Sequence, residues 1–183
     1  MKLNRIIFVV LIAVFLMPNI IAQETKAAFE EDFNGFAVGA QPAGMDPRET
    51  DSTGKVRVQA VPSDEDKSLL LENTVVSDSQ AFIQKQLSAA LSGSVEINFR
   101  MMVESTTKRL TLPMLRDGGN NNCTLLNLEP SGKRSVGKVA LEDYTFGAWE
   151  DYRIAIDFSS KSFNFYINGK KAAEGVALPA NLE

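Results

Sequence analysis

The sequence predicts an all-β fold, an antiparallel β-sandwich of the jelly-roll type, and three observations support this prediction. Apolar and polar residues alternate with a period of two through several runs, as in strands that bury one face. Turn residues separate these runs at short intervals, as at Gly54, Gly93 and Asn168-Gly169. Beyond the N-terminal segment, no stretch combines helical periodicity with capping residues. Many short strands joined by regular turns are typical of sandwiches and jelly rolls.

The strands follow one another along the chain, each marked by its alternation. In the clearest runs, residues such as Ile97 and Ile154 point to a core while their neighbours point to an open face. Pro113 lies inside one run and marks an edge strand or a bulge, because proline cannot donate to a ladder. Asn168-Gly169 predicts a type I′ hairpin, and residues 37–54 form one long irregular stretch. The predicted strands lie at 55–61, 68–72, 80–87, 95–104, 109–114, 124–128, 136–141, 151–158 and 163–168.

Residues 1–22 have the three parts of a secretory signal peptide. Lys2 and Arg5 form a positive region, an unbroken apolar run from 6 to 17 follows, and Ala22 supplies the small residue at the cleavage point. The apolar run is shorter than the roughly 20 residues that a membrane-spanning helix needs. We therefore expect cleavage after Ala22 and a secreted product, extracellular or periplasmic, with no membrane attachment.

Composition excludes several kinds of chemistry. The chain of 183 residues carries a formal net charge of -4 and has no basic excess with which to hold nucleic acid. It contains no histidine, which removes Ser-His-Asp and Cys-His catalysis, histidine metal sites and imidazole pH switches. Its one cysteine, Cys123, cannot form an intrachain disulfide or a thiolate zinc site, and we expect it to be buried.

Three segments of the chain together carry a resemblance to a known family. They are FEEDFNGF at 29–36 with Gly39, Pro42 and Gly44, then PSDEDKSLLL at 62–71, and WEDYRI at 149–154 leading into FYINGK at 165–170. Together these segments resemble the concanavalin A-like lectin/glucanase superfamily, and within it the LamG-like jelly-roll modules of secreted bacterial polysaccharide-degrading proteins. The similarity extends over about residues 29–178, most of the chain after the signal.

The resemblance implies the organisation and the partners of the chain. A jelly-roll domain would occupy 29–183 after a short lead at 23–28, and we expect it to lack the last strand, which in such modules follows the point matching Leu178. The implied function is a non-catalytic, carbohydrate-associated module that binds a polysaccharide or glycan, with a catalytic domain further along a longer chain. Many members of this family carry a structural calcium ion near the start of the domain, which makes Asp32 its candidate ligand. The Glu-x-Asp-x-x-Glu pattern of the family's glucanases has no match here.

The alternation assigns five polar residues to one side of the predicted sheet. Their side chains are hydrogen-bonding partners for sugar hydroxyls or carboxylates, and Tyr166 is the one ring of the set on which a sugar would stack. Trp149, by contrast, is expected to cap the core beside Tyr152. The loops at 42–51 and 117–122 are the next candidates. The candidate binding residues are Asn98, Arg100, Arg153, Asn164 and Tyr166.

Three alternatives use the same fold. A glycoside hydrolase needs two carboxyl groups about 5–10 Å apart, and a cross-strand acid pair on the open face stays a candidate. A polysaccharide lyase would use Tyr166 as a base, with Arg100 or Arg153 neutralising the uronate. An adhesion module would need no sugar ligand. The acids considered for hydrolysis are Glu96 with Asp151 or Asp157.

Overall fold

A computed structural model describes residues 4–9, 15–17, 29–49, 54–73, 81–116 and 122–178. Within these residues all helical and strand elements that could be assigned are β-strands, with no helix among them. Every pair of neighbouring strands is antiparallel. The described part of the chain therefore holds no helix with the length and hydropathy that a membrane span requires. The predicted all-β, antiparallel fold is confirmed, and the jelly-roll connectivity stays a prediction.

Fourteen strands, numbered in chain order, lie within the described residues. Eight of them form one large sheet in the order β14-β13-β12-β7-β1-β5-β4, with β2 also paired to β7; a second sheet has the order β11-β10-β9-β8, and β3 pairs with β6. The strands are β1 (Asn4–Val9), β2 (Phe15–Met17), β3 (Asp46–Glu49), β4 (Gly54–Gln59), β5 (Ser68–Asn73), β6 (Ala81–Gln84), β7 (Ser94–Ser105), β8 (Leu110–Arg116), β9 (Asn122–Leu128), β10 (Arg134–Val136), β11 (Val139–Ala140), β12 (Trp149–Asp157), β13 (Ser162–Ile167) and β14 (Lys170–Ala177).

One hydrophobic core joins the large sheet to the four-stranded sheet, as in a β-sandwich. Ile154 of β12 and Phe165 of β13 are fully buried, and Leu126 and Leu128 of β9 meet them in the same cluster. Each such side chain contributes about 1.5–3 kcal/mol by leaving water. Cys123 is also buried and free, as predicted, and burial raises the pKa of its thiol. The inward residues of β7 are the ones its alternation predicts: Val95, Ile97, Phe99, Met101 and Val103.

Local signals for turns and edges agree with the structure in two places and fail in one. Asn168 and Gly169 have φ angles of 49° and 78°, the positive pair of a type I′ turn between β13 and β14. The strand that contains Pro113, β8, lies at the edge of its sheet. The expectation of one irregular stretch at 37–54 is wrong, because Asp46–Glu49 forms β3. Its partner, Ala81–Gln84, lies far along the chain, and a local pattern does not reveal such a pairing.

Two strands lie within residues 1–22, the predicted export signal. β1 pairs with β5 on one side and with β7 on the other, so it lies inside the large sheet. β2 pairs with β7 further along that strand. The rest of this segment, with Ala22 and the short lead at 23–28, lies outside the described residues. Cleavage after Ala22 stays a prediction.

A buried ion pair joins the two sheets at one end of the core. Arg134 of β10 donates from Nη1 to Glu150 Oε2 at 2.7 Å and to the Tyr152 hydroxyl at 3.0 Å. The Tyr152 hydroxyl donates to the same Glu150 oxygen at 2.6 Å. The main-chain carbonyls of Glu142 and Asp143 accept from Arg134 Nε and Nη2. The side chains of Arg134 and Glu150 are 3% and 15% exposed, so water competes little with these charge-assisted bonds.

Burial raises the pKa of two core tyrosines. For Tyr152 the loss of solvent is the largest cause of a pKa far above 10.0; the Glu150 carboxylate adds to it and Arg134 opposes it. Burial, with a contribution from Glu129, raises the pKa of Tyr144 to about 12. The Tyr144 hydroxyl donates to the main-chain oxygen of Glu129 at 2.6 Å. Both phenols therefore act as hydrogen-bond donors in the folded chain at ordinary pH.

Replacing Glu150 with alanine should lower the free energy of unfolding by about 3 kcal/mol, because it leaves the Arg134 guanidinium buried without its carboxylate. The matched control is Lys133→Ala, which removes the exposed Lys133–Asp143 pair next to Arg134 and should cost about 0.5 kcal/mol or less. Chemical denaturation of the two variants measures the difference. Equal losses would show that the buried pair does not anchor the two sheets.

The free energy of unfolding should also fall as the pH rises above about 10. A phenol with a raised folded pKa keeps its proton in the folded chain while the unfolded chain loses it, so stability is complete below the unfolded pKa and declines above it. Each tyrosine contributes at most about 1.4 kcal/mol per pH unit. Tyr144→Phe and Tyr152→Phe should each make the alkaline decline less steep in denaturation curves from pH 8 to 11. An unchanged slope in both variants would contradict this explanation.

Candidate functional site

The five polar residues predicted to share one side of the sheet lie together in the structure. Asn98 of β7, Arg153 of β12 and Tyr166 of β13 are successive partners in one row across three strands. Arg100 lies in a neighbouring row opposite Asp151, and Asn164 lies opposite Ala155. We call this side of β7, β12 and β13, which points away from the core, the polar face. The residues of this face that concern the site are Glu96, Asn98, Arg100, Trp149, Asp151, Arg153, Asn164 and Tyr166.

Arg153 lies at the centre of the polar face. Its guanidinium carbon is 3.6 Å from the centroid of the Tyr166 ring, within the range of a cation–π contact. Arg153 Nη1 donates to Glu96 Oε2 at 3.2 Å, and Asn98 Nδ2 donates to Glu96 Oε1 at 2.8 Å. Of the two arginines considered beside Tyr166, Arg153 is therefore the neighbour. The guanidinium covers one side of the Tyr166 ring, so the polar face offers a guanidinium–phenol pair in place of a bare ring.

Trp149 lies on the polar face, and the expectation that it caps the core beside Tyr152 is wrong. The two residues are three positions apart on one strand, and an odd separation puts them on opposite sides. The Arg100 guanidinium carbon lies 5.4 Å from the Trp149 ring centroid, and Arg100 Nε is 3.7 Å from Asp151 Oδ1. A second arginine–aromatic pair therefore stands next to the first. Ring size suggested a core position, whereas the parity of position 149 already indicated the polar face.

Asn164 has a structural task at the margin of the polar face. Its Oδ1 accepts a hydrogen bond from the main-chain nitrogen of Gly175 at 2.9 Å. The register of β13 against β14 shifts between Phe163 and Phe165, and Gly175 lies in the irregular part. The side chain thus satisfies an amide at a bulge. Only the amide nitrogen of Asn164 remains as a donor to a ligand.

The acids considered for hydrolysis lie in separate hydrogen-bonding groups. Glu96 and Asp151 each lie beside a different arginine. Asp157 Oδ1 accepts from the Ser159 hydroxyl at 2.5 Å and from the Ser159 main-chain nitrogen at 2.9 Å. Hydrogen bonds from Ser159 and then Ser160 lower the pKa of Asp157. Asp157 therefore caps the turn that follows β12 through its hydrogen bonds to Ser159.

Positive and negative charges balance on and beside the polar face. Lys171 of β14 is the partner of Tyr166 in the row that contains Arg153, a position that sequence reasoning missed. Lys171 Nζ is 2.7 Å from Glu174 Oε1, and this hydrogen bond raises the pKa of Lys171. The strand that holds Lys171 directly follows the predicted hairpin, so the alternation along that strand could have placed Lys171 beside Tyr166. The cations are Arg100, Arg153 and Lys171, and the acids beside them are Asp151, Glu96 and Glu174.

Asp32, the candidate calcium ligand, caps its own turn. Its two carboxylate oxygens accept from the main-chain nitrogen and from Nδ2 of Asn34, at 2.9 and 3.3 Å. The carbonyls of Asn34 and Phe36 accept from Lys67 Nζ at 3.1 and 2.7 Å, so an ammonium already meets the main-chain oxygens of this turn. Among the residues that the structure describes, no three acidic or cysteine side chains form a group that could hold a metal. A calcium ion at Asp32 stays a prediction from the resemblance.

The two loops named as alternative sites differ in what the structure says of them. In the first, at 42–51, Asp46 accepts from Arg48 and from Gln84, which ties β3 to β6. Glu49 in the same strand binds Arg57 of β4. These polar groups serve the attachment of the two-stranded sheet. In the second loop, residues 117–121 lie outside the described part of the chain.

No family model, no curated protein and no solved structure matches this chain. The resemblance to concanavalin A-like modules therefore stays an expectation.

Proposed function

We propose that this chain is a secreted, non-catalytic, lectin-like module that binds a glycan through the polar face, as an accessory to polysaccharide recognition or degradation. The observation that carries this proposal is the presence of two arginine–aromatic pairs on one sheet face, Arg153 with Tyr166 and Arg100 with Trp149. The predicted export signal and the resemblance to LamG-like modules support the same role. The predicted signal lies outside the polar face, whereas the segments WEDYRI and FYINGK that carry the resemblance include Trp149, Arg153 and Tyr166.

The two pairs combine the two kinds of contact that a sugar ring uses. Arg153 and Arg100 have side chains that are 40% and 46% exposed, so their planar N–H groups are available to hydroxyl oxygens. Trp149 and the part of the Tyr166 ring that Arg153 leaves uncovered supply the apolar surface on which a sugar's C–H groups pack. Glu96 holds Arg153 in place before a ligand arrives, which reduces the entropy lost on binding.

The charge balance favours a neutral glycan over an acidic one. Each of the three cations on or beside the polar face lies beside a carboxylate, so the face presents no excess positive field to a uronate or sulfate. A hydroxyl-rich ligand gains hydrogen bonds from both signs, because carboxylates accept from hydroxyls and guanidinium groups donate to them. We therefore expect neutral polysaccharides, or oligosaccharides from them, as the ligand class.

A glycan array probed with the secreted chain should show binding to neutral glycans, and isothermal titration should show at least about tenfold weaker binding for Arg153→Ala, Tyr166→Ala and Trp149→Ala. The matched control is Arg109→Ala, an exposed arginine that pairs with Glu129 away from the polar face and should leave the affinity unchanged. Binding that survives all three substitutions would move the site elsewhere. Release of unsaturated uronates from acidic polysaccharides, abolished by Tyr166→Phe, would replace the lectin with a lyase.

A further inference from the structure

The interior of the large sheet contains a strand from the very segment that export is predicted to remove. β1 pairs with β5 over Asn4–Phe8 and with β7 over Arg5–Val9, antiparallel to both. β5 and β7 are therefore parallel to each other, and β1 is the strand that connects them. The main-chain groups on the facing edges of β5 and β7 have β1 as their ladder partner.

Cleavage after Ala22 would take this strand out of the middle of the sheet. The two neighbours would then stand two strand spacings apart, about 9–10 Å, too far for direct hydrogen bonds. Leu69 and Leu71 of β5 and Met101 and Val103 of β7, all buried, line the opening on the core side. An opening of this kind exposes apolar side chains and leaves main-chain donors and acceptors unpaired, both of which cost free energy. A mature chain therefore needs a strand at this place.

We propose that the gap between β5 and β7 is a strand-acceptor site, filled in the precursor by Asn4–Val9 and in the mature chain by an extended segment of a partner polypeptide. Binding of this kind adds a strand through main-chain hydrogen bonds, while alternate side-chain positions set the specificity. The inference rests on the export that we propose and not on glycan binding, although β7 borders both the gap and the polar face and Arg100 lies opposite Val9.

The walls of the gap define the sequence of the strand that fits. Positions 6 and 8 of β1 lie opposite buried residues on both sides, which requires apolar residues at alternate places. Position 5 lies opposite Glu72, whose carboxylate is 3.3 Å from Lys55 and almost fully buried, so a basic residue complements the charge there. The partner segment should therefore be about six residues long. It should carry a basic residue at the place of position 5 and apolar residues at the places of positions 6 and 8, with one residue between them.

The test uses the full chain, folded before it is cut. A specific protease site is inserted between Ala22 and Gln23, outside the described residues, and the folded chain is cleaved there. We expect the N-terminal fragment to stay bound through gel filtration. A labelled peptide with the sequence of residues 2–11 (KLNRIIFVVL), added in excess, should then replace it at a ratio of one to one. Hydrogen exchange should show that the amides of β5 and β7 that face β1 are protected only while fragment or peptide is bound, whereas the amides that face β4 and β12 stay protected throughout.

Two altered peptides make the test specific. Aspartate at both positions 6 and 8 places charges opposite the buried walls and should weaken binding by at least about 30-fold. Threonine at position 7, which lies opposite Leu70 and Met102 on the other side of the sheet, should change the affinity by less than about threefold. Equal binding of the two altered peptides would overturn the proposal. So would a cleaved chain that loses its fragment and, as a monomer, keeps the β1-facing amides of β5 and β7 protected. A cleaved chain that dimerises and refuses the peptide would also overturn it, because a second copy would then be the occupant.

Discussion

The register of β12 between β7 and β13 is the constraint on which both the core and the polar face depend. Ile154 lies opposite Ile97 on one side and opposite Phe165 on the other, and all three are buried. In the adjacent row, Arg153 lies between Asn98 and Tyr166 on the polar face. A slip of one residue would send every side chain of β12 to the opposite face. Burial of the apolar row therefore also positions the arginine that we propose as the centre of the site.

At the start of β12 the same register places a charged residue on the core side of the sheet. Glu150 shares the core side with Tyr152, and there it meets Arg134 from the other sheet. A buried ion pair is weak support for overall stability, since well-packed apolar residues often do as well. The pair constrains the geometry strongly, however, because a guanidinium, a carboxylate and a phenol hydroxyl must all lie within hydrogen-bonding distance of one another. We interpret the network as a device that fixes β10 against β12, with Tyr152 kept protonated by its surroundings.

The sequence alone predicted the parts of the structure that depend on local alternation. The all-β fold, the buried residues of β7 and the common side of Asn98, Arg153 and Tyr166 all follow from a period of two. What it did not predict depends on contacts between distant segments, such as the pairing of β3 with β6 and the link from Arg134 to Glu150. The place of β1 inside the sheet belongs to this second class, because nothing in an apolar run of a signal indicates a strand partner. Trp149 is a different case. The alternation along its strand already indicated the polar face, but the large size of its ring led to the expectation of a core position.

Cross-strand nuclear Overhauser contacts in the isotopically labelled chain test the account most directly, because they measure the register of β12 without reference to function. The account predicts contacts that place Ile154 opposite Ile97 and Phe165, with Arg153 opposite Asn98 and Tyr166. Contacts shifted by one residue, with Arg153 opposite Ile97, would contradict it, because the core and the polar face would then exchange their residues.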